Sequence, residues 1–168
     1  VYDDEQGVEK IFPFDIIPSI IDYVEWKKIE NGMKQRLKAL NLFIKDIYHE
    51  QFFLKDKMIP AELIVSNPNY LRIMRGLNVP KDIYTHIAGI DLIRNESGNF
   101  YVLEDNLRTP SGVSYMLENR EITRRLYPKF IPKNKVLPIN NYPTLLYNQL
   151  KSLSCLLYTS DAADDYRS

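Results

Sequence analysis

The fold is decided by the stretch 84-YTHIAGIDLIRNESGNFYVLEDN-106, which joins two apolar runs through a polar segment. Branched and aromatic side chains dominate both runs, as is typical of β-strands. The polar segment 95-NESG-98 supplies Asn, Ser and Gly, residue types that favour tight turns between antiparallel strands. The stretch therefore predicts an antiparallel hairpin with a four-residue turn.

The register of this hairpin decides which polar side chains meet. A four-residue turn pairs Arg94 with Asn99 and sets Asp91 opposite Val102. Glu104 is then a diagonal neighbour of Asp91, at roughly 7–8 Å between Cα atoms. An even number of turn residues keeps both carboxylates on one face, whereas an odd number would separate them. Alternation predicts that the second strand shows four residues on this face: Phe100, Val102, Glu104 and Asn106.

Two carboxylates on one face repel each other and resist desolvation. A divalent cation removes both problems, and the oxygen-only set of Asp91, Glu104 and the Asn106 amide suits Mg²⁺ or Mn²⁺. One alternative is a solvated strand end. Another is a hydrolase that uses the two carboxylates as general acid and base, although Asn106 has no use there. Neither His49 nor His86 stands at a zinc-ligand spacing, so both are interpreted as core or surface residues.

The residues after the second strand predict an anion site. The sequence 108-RTPSG-112 leads into a helical pattern over residues 111–128, and a helix N-terminus favours an anion through its exposed N–H groups. Arg108 adds a forked donor. We predict that Arg108, Ser111 and Gly112 bind a phosphate or carboxylate, with Ser111 also able to act as the helix N-cap. Phosphoryl transfer from a metal–nucleotide requires such a cation site beside an anion site.

The rest of the chain predicts mostly helices. Apolar residues recur at spacings of three or four from Asp22 to about Leu54, with a break between two helices at Asn31-Gly32. A brief helix is predicted over residues 68–75, and another from Pro143 to Leu153. Residues 8–18 predict a short strand and an extended connection. The expected fold class is α+β or α/β, an antiparallel sheet with flanking helices.

Composition excludes several classes of protein. The chain has 168 residues, of which 45% are apolar and 26% charged, as is typical of globular domains. Its 22 basic and 22 acidic residues cancel, which argues against a nucleic-acid partner. The apolar runs are far shorter than the roughly 20 residues that span a bilayer, so no membrane role is expected. A polar N-terminus and a single cysteine, Cys155, favour a cytoplasmic location.

The pattern G-x-D, a turn, F-Y-V-L-E-x-N and P-x-G resembles the metal-binding hairpin of ATP-grasp enzymes such as D-alanine–D-alanine ligases. More closely, the chain resembles the circularly permuted ATP-grasp proteins of type 2, relatives of the glutathionylspermidine synthetase type. Four segments carry the resemblance: 11-IFPFDIIPSII-21, 33-MKQRLKALNLFIKDIY-48, 89-GIDLIR-94 and 101-YVLEDNLRTPSGVSYMLENR-120.

This resemblance implies an ATP-grasp-like fold and an ATP-dependent carboxylate–amine ligase that works through an acyl phosphate. It implies Mg²⁺ or Mn²⁺ on Asp91, Glu104 and Asn106, with ATP as co-substrate. Arg108 would be the catalytic residue facing the transferred phosphoryl group, and Ser111 and Gly112 would line the same loop. The carboxylate and amine would be of the amino-acid or peptide class. A non-catalytic binding or scaffold module with the same fold is the alternative.

The resemblance also sets an expected domain division. Residues 1–154 are expected to form the metal-binding half of an incomplete ATP-grasp domain, which lacks the nucleotide clamp and is inactive alone. Residues 155–168 resemble the translation of a transposon-type sequencing adapter, so a non-native, disordered tail is expected there; a native disordered tail is the alternative. The chain departs from some relatives at Gly89, where they have an arginine two residues before the metal-binding aspartate.

Overall fold

The computed structural model describes residues 13–129, 131 and 135–154. These residues fall into two compact units. The hairpin unit runs from Ile21 to Ser111, and the flanking unit comprises the described residues before and after it. None of the helices in the described ranges has the length and apolar character that a membrane crossing needs. The predicted tail, residues 155–168, lies outside the described residues.

One long helix, α1, organises the hairpin unit and spans Tyr23–Tyr48. Its N-cap is Asp22, whose carboxylate accepts a hydrogen bond from the Glu25 N–H at 2.8 Å. The helix runs without interruption through Asn31 and Gly32. The predicted break between two helices at this position is therefore wrong.

The helix continues through Gly32 because one side of it, the apolar stripe from Ile29 to Ile47, is unbroken there. Ile29 and Ile47 are buried, and the side chains between them on the stripe are half-buried: Met33, Leu37, Leu40 and Ile44. Glu30 forms ion pairs with Lys27 at 2.7 Å and, across the glycine, with Lys34 at 2.8 Å. An interior glycine costs roughly 1 kcal/mol relative to alanine, and packing of the stripe offsets that cost.

Short elements follow α1 in the hairpin unit. Helix α2 spans Phe52–Lys55 and α3 spans Ala61–Val65, and 3₁₀ turns occupy Arg72–Met74 and Pro80–Asp82. The predicted helical run to Leu54 is interrupted where Gln51 takes a left-handed φ of 58°. The brief helix predicted over residues 68–75 is reduced to the first 3₁₀ turn.

The predicted hairpin is confirmed, but its turn is not. Strand β1, Gly89–Arg94, pairs antiparallel with β2, Phe100–Asn106. Arg94 pairs with Phe100, so five residues rather than four separate the strands. The Asn95 N–H donates to the Asn99 carbonyl at 2.9 Å, and Gly98 takes a φ of 83°, which glycine adopts without strain. The prediction of a four-residue turn is wrong.

A β-bulge compensates for the odd number of turn residues. Leu92 lies opposite Val102, but the register shifts there and Asp91 lies opposite Glu104. Leu103 is thus an extra residue on β2. Together with the five-residue turn it makes an even shift, so Asp91 and Glu104 lie on the same face. Asp91 faces Glu104 directly rather than diagonally as predicted.

The bulge divides the hairpin into a half-buried face and an exposed face. The half-buried face carries Ile90, Leu92, Phe100, Val102 and Asp105. The exposed face carries Asp91, Ile93, Tyr101, Leu103 and Glu104. The prediction that Phe100 and Val102 share a face with Glu104 is therefore wrong, because the extra residue reverses the alternation.

The flanking unit contains helices α4, Val113–Leu126, and α5, Tyr142–Ser154. Both agree with the predicted helices over residues 111–128 and from Pro143. The Arg120 Nη1 donates to the Leu137 carbonyl at 2.7 Å, which ties α4 to the segment before α5. Residues 13–18 hold no strand, and the earlier part of the strand predicted over residues 8–18 lies outside the described residues.

Candidate metal and phosphate site

Two carboxylates lie directly opposite each other on the exposed face of the hairpin. Asp91 and Glu104 are Cα partners, and such partners hold their Cβ atoms roughly 4.5–5.5 Å apart. Both side chains are exposed, and no side chain of the described residues pairs with or hydrogen-bonds to either one. Like charges at this spacing destabilise a hairpin, and a cation bound between the two carboxylates would remove that repulsion.

Asn106 completes the predicted ligand set on the same face. It lies opposite Gly89, two residues before Asp91, so its amide and the Asp91 carboxylate leave the sheet on one side. Asn106 is half-buried, and its amide makes no hydrogen bond within the described part of the chain. The structure thus brings Asp91, Glu104 and Asn106 together at the end of the hairpin.

This donor set fits a hard divalent cation. Two carboxylates and a carboxamide oxygen are ligands that Mg²⁺ and Mn²⁺ accept, and three protein ligands leave coordination positions for water and phosphate. Over the described ranges, no group of three or more His, Cys, Asp or Glu residues is arranged to hold a metal. The predicted set contains only two such residues, and its third member is the Asn106 amide.

The loop after β2 turns back over the hairpin at Gly89. A Cβ atom built on Gly89 would lie 2.8 Å from the Pro110 Cβ, closer than two carbon atoms can pack without one moving. Glycine at this position therefore permits the close approach of the loop. Gly89 therefore has a packing role in this chain.

Arg108 lies on the same loop and is exposed. Its Nη1 donates to the Asn69 Oδ1 at 3.1 Å, which anchors one corner of the guanidinium. The other N–H groups have no partner among the described residues, so the forked face of Arg108 is available to a phosphate or carboxylate.

Ser111 is the last residue of the hairpin unit, and Gly112 is the first residue of the next segment of the flanking unit. Gly112 is the N-cap of α4, with a φ of 88° and no side-chain cap. The predicted capping role of Ser111 is therefore wrong. Ser111 is exposed, and its hydroxyl has no hydrogen-bond partner among the described residues.

Sequence reasoning missed the residue between two of the predicted ligands. Asp105 points to the half-buried face, where both its oxygens accept hydrogen bonds from Arg36 of α1. The hydrogen bond from Arg36 lowers the pKa of Asp105, and the same bond raises the pKa of the guanidinium. The signal was the run of three polar residues, 104–106, because alternation must turn its middle member to the other face.

An apolar cavity of about 290 Å³ also lies in the hairpin unit, between α1 and α3. Tyr48 and Tyr70 form part of its wall and stack with their ring centroids 5.2 Å apart. Tyr48 also stacks on Tyr84 at 6.2 Å. Asn69, which anchors Arg108, is among the residues lining the cavity. The cavity and the candidate anion-binding loop thus share one side chain.

Neither histidine belongs to the two strands of the hairpin. His49 follows α1 as its C-cap residue, and its Nε2 lies 2.9 Å from the Tyr84 hydroxyl. Burial raises the pKa of that tyrosine above its ordinary value. His86 is half-buried ahead of β1. The interpretation of both as structural residues agrees with these positions.

Known proteins resemble this chain along most of its length. A family model described as circularly permuted ATP-grasp type 2 matches residues 18–164. A protein of Synechocystis is 45% identical over 154 residues, which cover 92% of this chain and 32% of that protein. A protein of Mycobacterium leprae is 44% identical over 146 residues, covering 87% of this chain and 26% of the relative.

A further relative carries a name that states an activity. This protein of Frankia casuarinae, provisionally named a glutamate–cysteine ligase, is 36% identical over 152 residues, covering 90% of this chain and 18% of the relative. The chain thus spans a third or less of the length of these curated relatives. The family match runs into residues 155–168 and does not test whether that segment is an adapter-derived tail.

Proposed function

Because the chain belongs to the circularly permuted ATP-grasp type 2 family, we propose that its parent protein is an ATP-dependent ligase that joins a carboxylate to an amine. In this reaction, a carboxylate oxygen attacks the γ-phosphorus of ATP, which releases ADP and leaves an acyl phosphate. The amine then attacks the acyl carbon, the phosphate leaves, and the nitrogen loses a proton to give the amide.

The observation that carries the proposal is the directly opposed pair Asp91 and Glu104. A protein that kept this hairpin only as a scaffold would gain nothing from two unpaired, exposed carboxylates held face to face. With Asn106 they would hold Mg²⁺ or Mn²⁺, and the ion would offset the charge of the ATP phosphates.

Arg108 is proposed to bind the phosphoryl group as it moves to the carboxylate. Its anchor on Asn69 limits the motion of the guanidinium, so less freedom is lost when an anion binds. Ser111 and Gly112 follow in the chain and are proposed to donate their backbone N–H groups, and the Ser111 hydroxyl, to the same anion. Arg108 would stabilise negative charge on the phosphoryl oxygens.

We propose substrates of the amino-acid or small-peptide class. The name of the Frankia relative supports this class, since both reactants in a glutamate–cysteine ligase reaction are amino acids. A cytoplasmic location stays a prediction.

We also propose that turnover requires more protein than this chain contains. The chain spans 32% of the Synechocystis relative, and in the described ranges only two apolar residues, Ile29 and Ile47, are buried, at 8% and 4% exposure. Residues 1–154 would then be part of a larger ATP-grasp domain, and this chain alone would not turn over ATP.

The test uses the full-length protein and the variant Glu104→Gln, which keeps shape and removes the charge. Release of ADP and phosphate is measured with Mg²⁺, a pool of amino acids as carboxylates and a pool as amines. We expect turnover only when all components are present, and a loss of at least 100-fold in the variant. Glu96→Gln removes an exposed carboxylate from the turn of the same hairpin and should leave turnover unchanged.

The alternatives predict different results. Full activity in Glu104→Gln would remove the metal assignment. No turnover with any acceptor, despite binding of ATP, would favour the non-catalytic module. ATP hydrolysis that ignores the amine would contradict amide formation.

A further inference from the structure

Helix α1 is joined to the metal-binding strand by a bidentate ion pair. The Arg36 Nε lies 2.8 and 3.0 Å from the two carboxylate oxygens of Asp105, and the Nη2 lies 2.6 Å from one of them. Such a fork fixes the orientation of a carboxylate as well as its distance. The Asp105 side chain is only 17% exposed, so water competes less for this contact than at a fully exposed surface pair.

Besides joining α1 to β2, this ion pair bears on the orientation of the residues on either side of Asp105. Asp105 stands between Glu104 and Asn106 on β2, and alternation places it on the opposite face. We infer that Arg36 is a positioning residue: by holding Asp105 against α1, it keeps Glu104 and Asn106 on the exposed face. This inference rests on the proposed metal-binding function of the hairpin.

The hairpin has a competing register that this ion pair excludes. If β2 lost the bulge and paired regularly from its turn onward, Glu104 would face Ile90 and Asp105 would face Gly89. Glu104 would then point to the half-buried face, away from Asp91. An isolated two-stranded hairpin is only marginally stable, and the Arg36 contact is available to Asp105 only in the bulged register.

A second ion pair provides a matched control. Arg94, near the turn, pairs with Glu25 of the same helix at 2.7 Å. The arginines are similarly exposed, at 42% for Arg94 and 44% for Arg36. Arg94 lies on the turn side of the bulge, where pairing is the same in both registers. Breaking this pair should weaken the link to α1 without moving Glu104.

The first experiment compares Arg36→Met with Arg94→Met in the full-length protein, using Mn²⁺ alone as the probe. Affinity is measured by electron paramagnetic resonance of free Mn²⁺, and stability by thermal unfolding. We expect both variants to melt at similarly lowered temperatures. Arg36→Met should bind Mn²⁺ about 10-fold or more weakly, as is typical for loss of a residue that orients a ligand, whereas Arg94→Met should bind it normally. Arg36→Lys keeps the positive charge but cannot form the bidentate contact with Asp105, so its affinity for Mn²⁺ should be close to that of Arg36→Met.

The second experiment reads the register without any metal. In a full-length background whose other cysteines are replaced by serine, Asp91→Cys and Glu104→Cys place two thiols on directly opposite residues, within the range that a disulfide bridges. Oxidation should cross-link them efficiently, and adding Arg36→Met should lower the yield several-fold, while adding Arg94→Met should not.

Equal effects of the two arginine variants on Mn²⁺ affinity and on cross-linking would overturn the inference, because a general loss of stability would then explain both. An unchanged cross-link in Arg36→Met would also overturn it. Failure of the unmodified protein to bind Mn²⁺ would instead count against the proposed function, while the cross-linking result would still decide the positioning role.

Discussion

Asp91 and Glu104 are direct Cα partners because an odd turn and a β-bulge cancel each other. The turn has five residues, which would place the two carboxylates on opposite faces, and the extra residue Leu103 brings them back together. The result is a pair of like charges facing each other without a partner in the described part of the chain. Such an arrangement lowers the stability of the hairpin and is typical of a site shaped by function.

Neutralising one of these carboxylates should therefore stabilise the metal-free protein. We expect Asp91→Asn to raise the free energy of unfolding by about 0.2–1 kcal/mol when a chelator is present. Added Mg²⁺ should stabilise the original protein and have little effect on the variant, since ligand binding to the native state shifts unfolding. Urea unfolding with and without Mg²⁺ measures both effects. A Mg²⁺ response that is unchanged in the variant would contradict the metal site.

Gly89→Ala should disturb the loop that carries Arg108. The new methyl group would lie 2.8 Å from the Pro110 Cβ, so the loop or the strand must move, at a cost of about 1–3 kcal/mol. Urea unfolding measures the loss. Adding Pro110→Gly removes the opposing side chain and should recover part of it. If Gly89→Ala alone is harmless, the close approach of loop and strand is not present in solution.

Gly32→Ala should stabilise the protein, in contrast to Gly89→Ala. A Cβ at Gly32 meets nothing within 4 Å, and the residue lies inside α1. Alanine should therefore stabilise the protein by up to about 1 kcal/mol through helix propensity. A destabilised variant would show that the helix is broken or strained at Asn31-Gly32, as the sequence pattern suggests.

Arg108→Ala should affect catalysis more than substrate binding. If its N–H groups contact the phosphoryl group chiefly during transfer, kcat should fall by about 100-fold or more while the KM for ATP changes little. Steady-state kinetics of the full-length protein separates the two constants. Arg72→Ala removes another exposed arginine from the hairpin unit and should leave both unchanged. A large rise in KM with normal kcat would instead place Arg108 in ground-state binding.

The pKa of Glu30 predicts how α1 responds to acid. Hydrogen bonds from Lys27 and Lys34 lower this pKa to about 2, from an ordinary value of 4.5. A carboxyl group with a lowered folded-state pKa stabilises the folded state fully above its ordinary pKa, and this contribution disappears as pH falls from about 4.5 towards 2. A ¹³C NMR titration of the side-chain carboxyl should show the low midpoint. In the double variant Lys27→Met, Lys34→Met the midpoint should return to its ordinary value; an unchanged midpoint would refute the ion pairs.

The hairpin could be predicted from the sequence because its information is local. Alternating apolar residues and the Asn-Glu-Ser-Gly segment specify two strands and a turn, and the predicted ligands Asp91, Glu104 and Asn106 do lie on one face. The turn length and the bulge were missed because neither is set locally. The side chain of Asp105 binds Arg36, 69 positions earlier in the sequence, and this contact favours the bulged register.

Two further errors have the same origin. The Asn31-Gly32 pair normally marks a helix end, but burial of the stripe that contains Ile29 outweighs the local preference of these two residues. Ser111 is a favoured N-cap by residue type, yet the following glycine takes a left-handed φ and the helix begins one position later. Local propensity gave the type of element in both regions, and packing or backbone geometry decided the boundaries.

The exposed face of the hairpin is not polar around its two carboxylates. Ile93, Tyr101 and Leu103 lie on that face and are 51%, 56% and 70% exposed. A nucleotide or another part of the protein that covered this face would displace water from the apolar side chains around the carboxylates, and the local dielectric constant would fall. The attraction between a cation and the carboxylates strengthens as that constant falls. The proposed site would therefore bind its ion more weakly while this face is open than while it is covered.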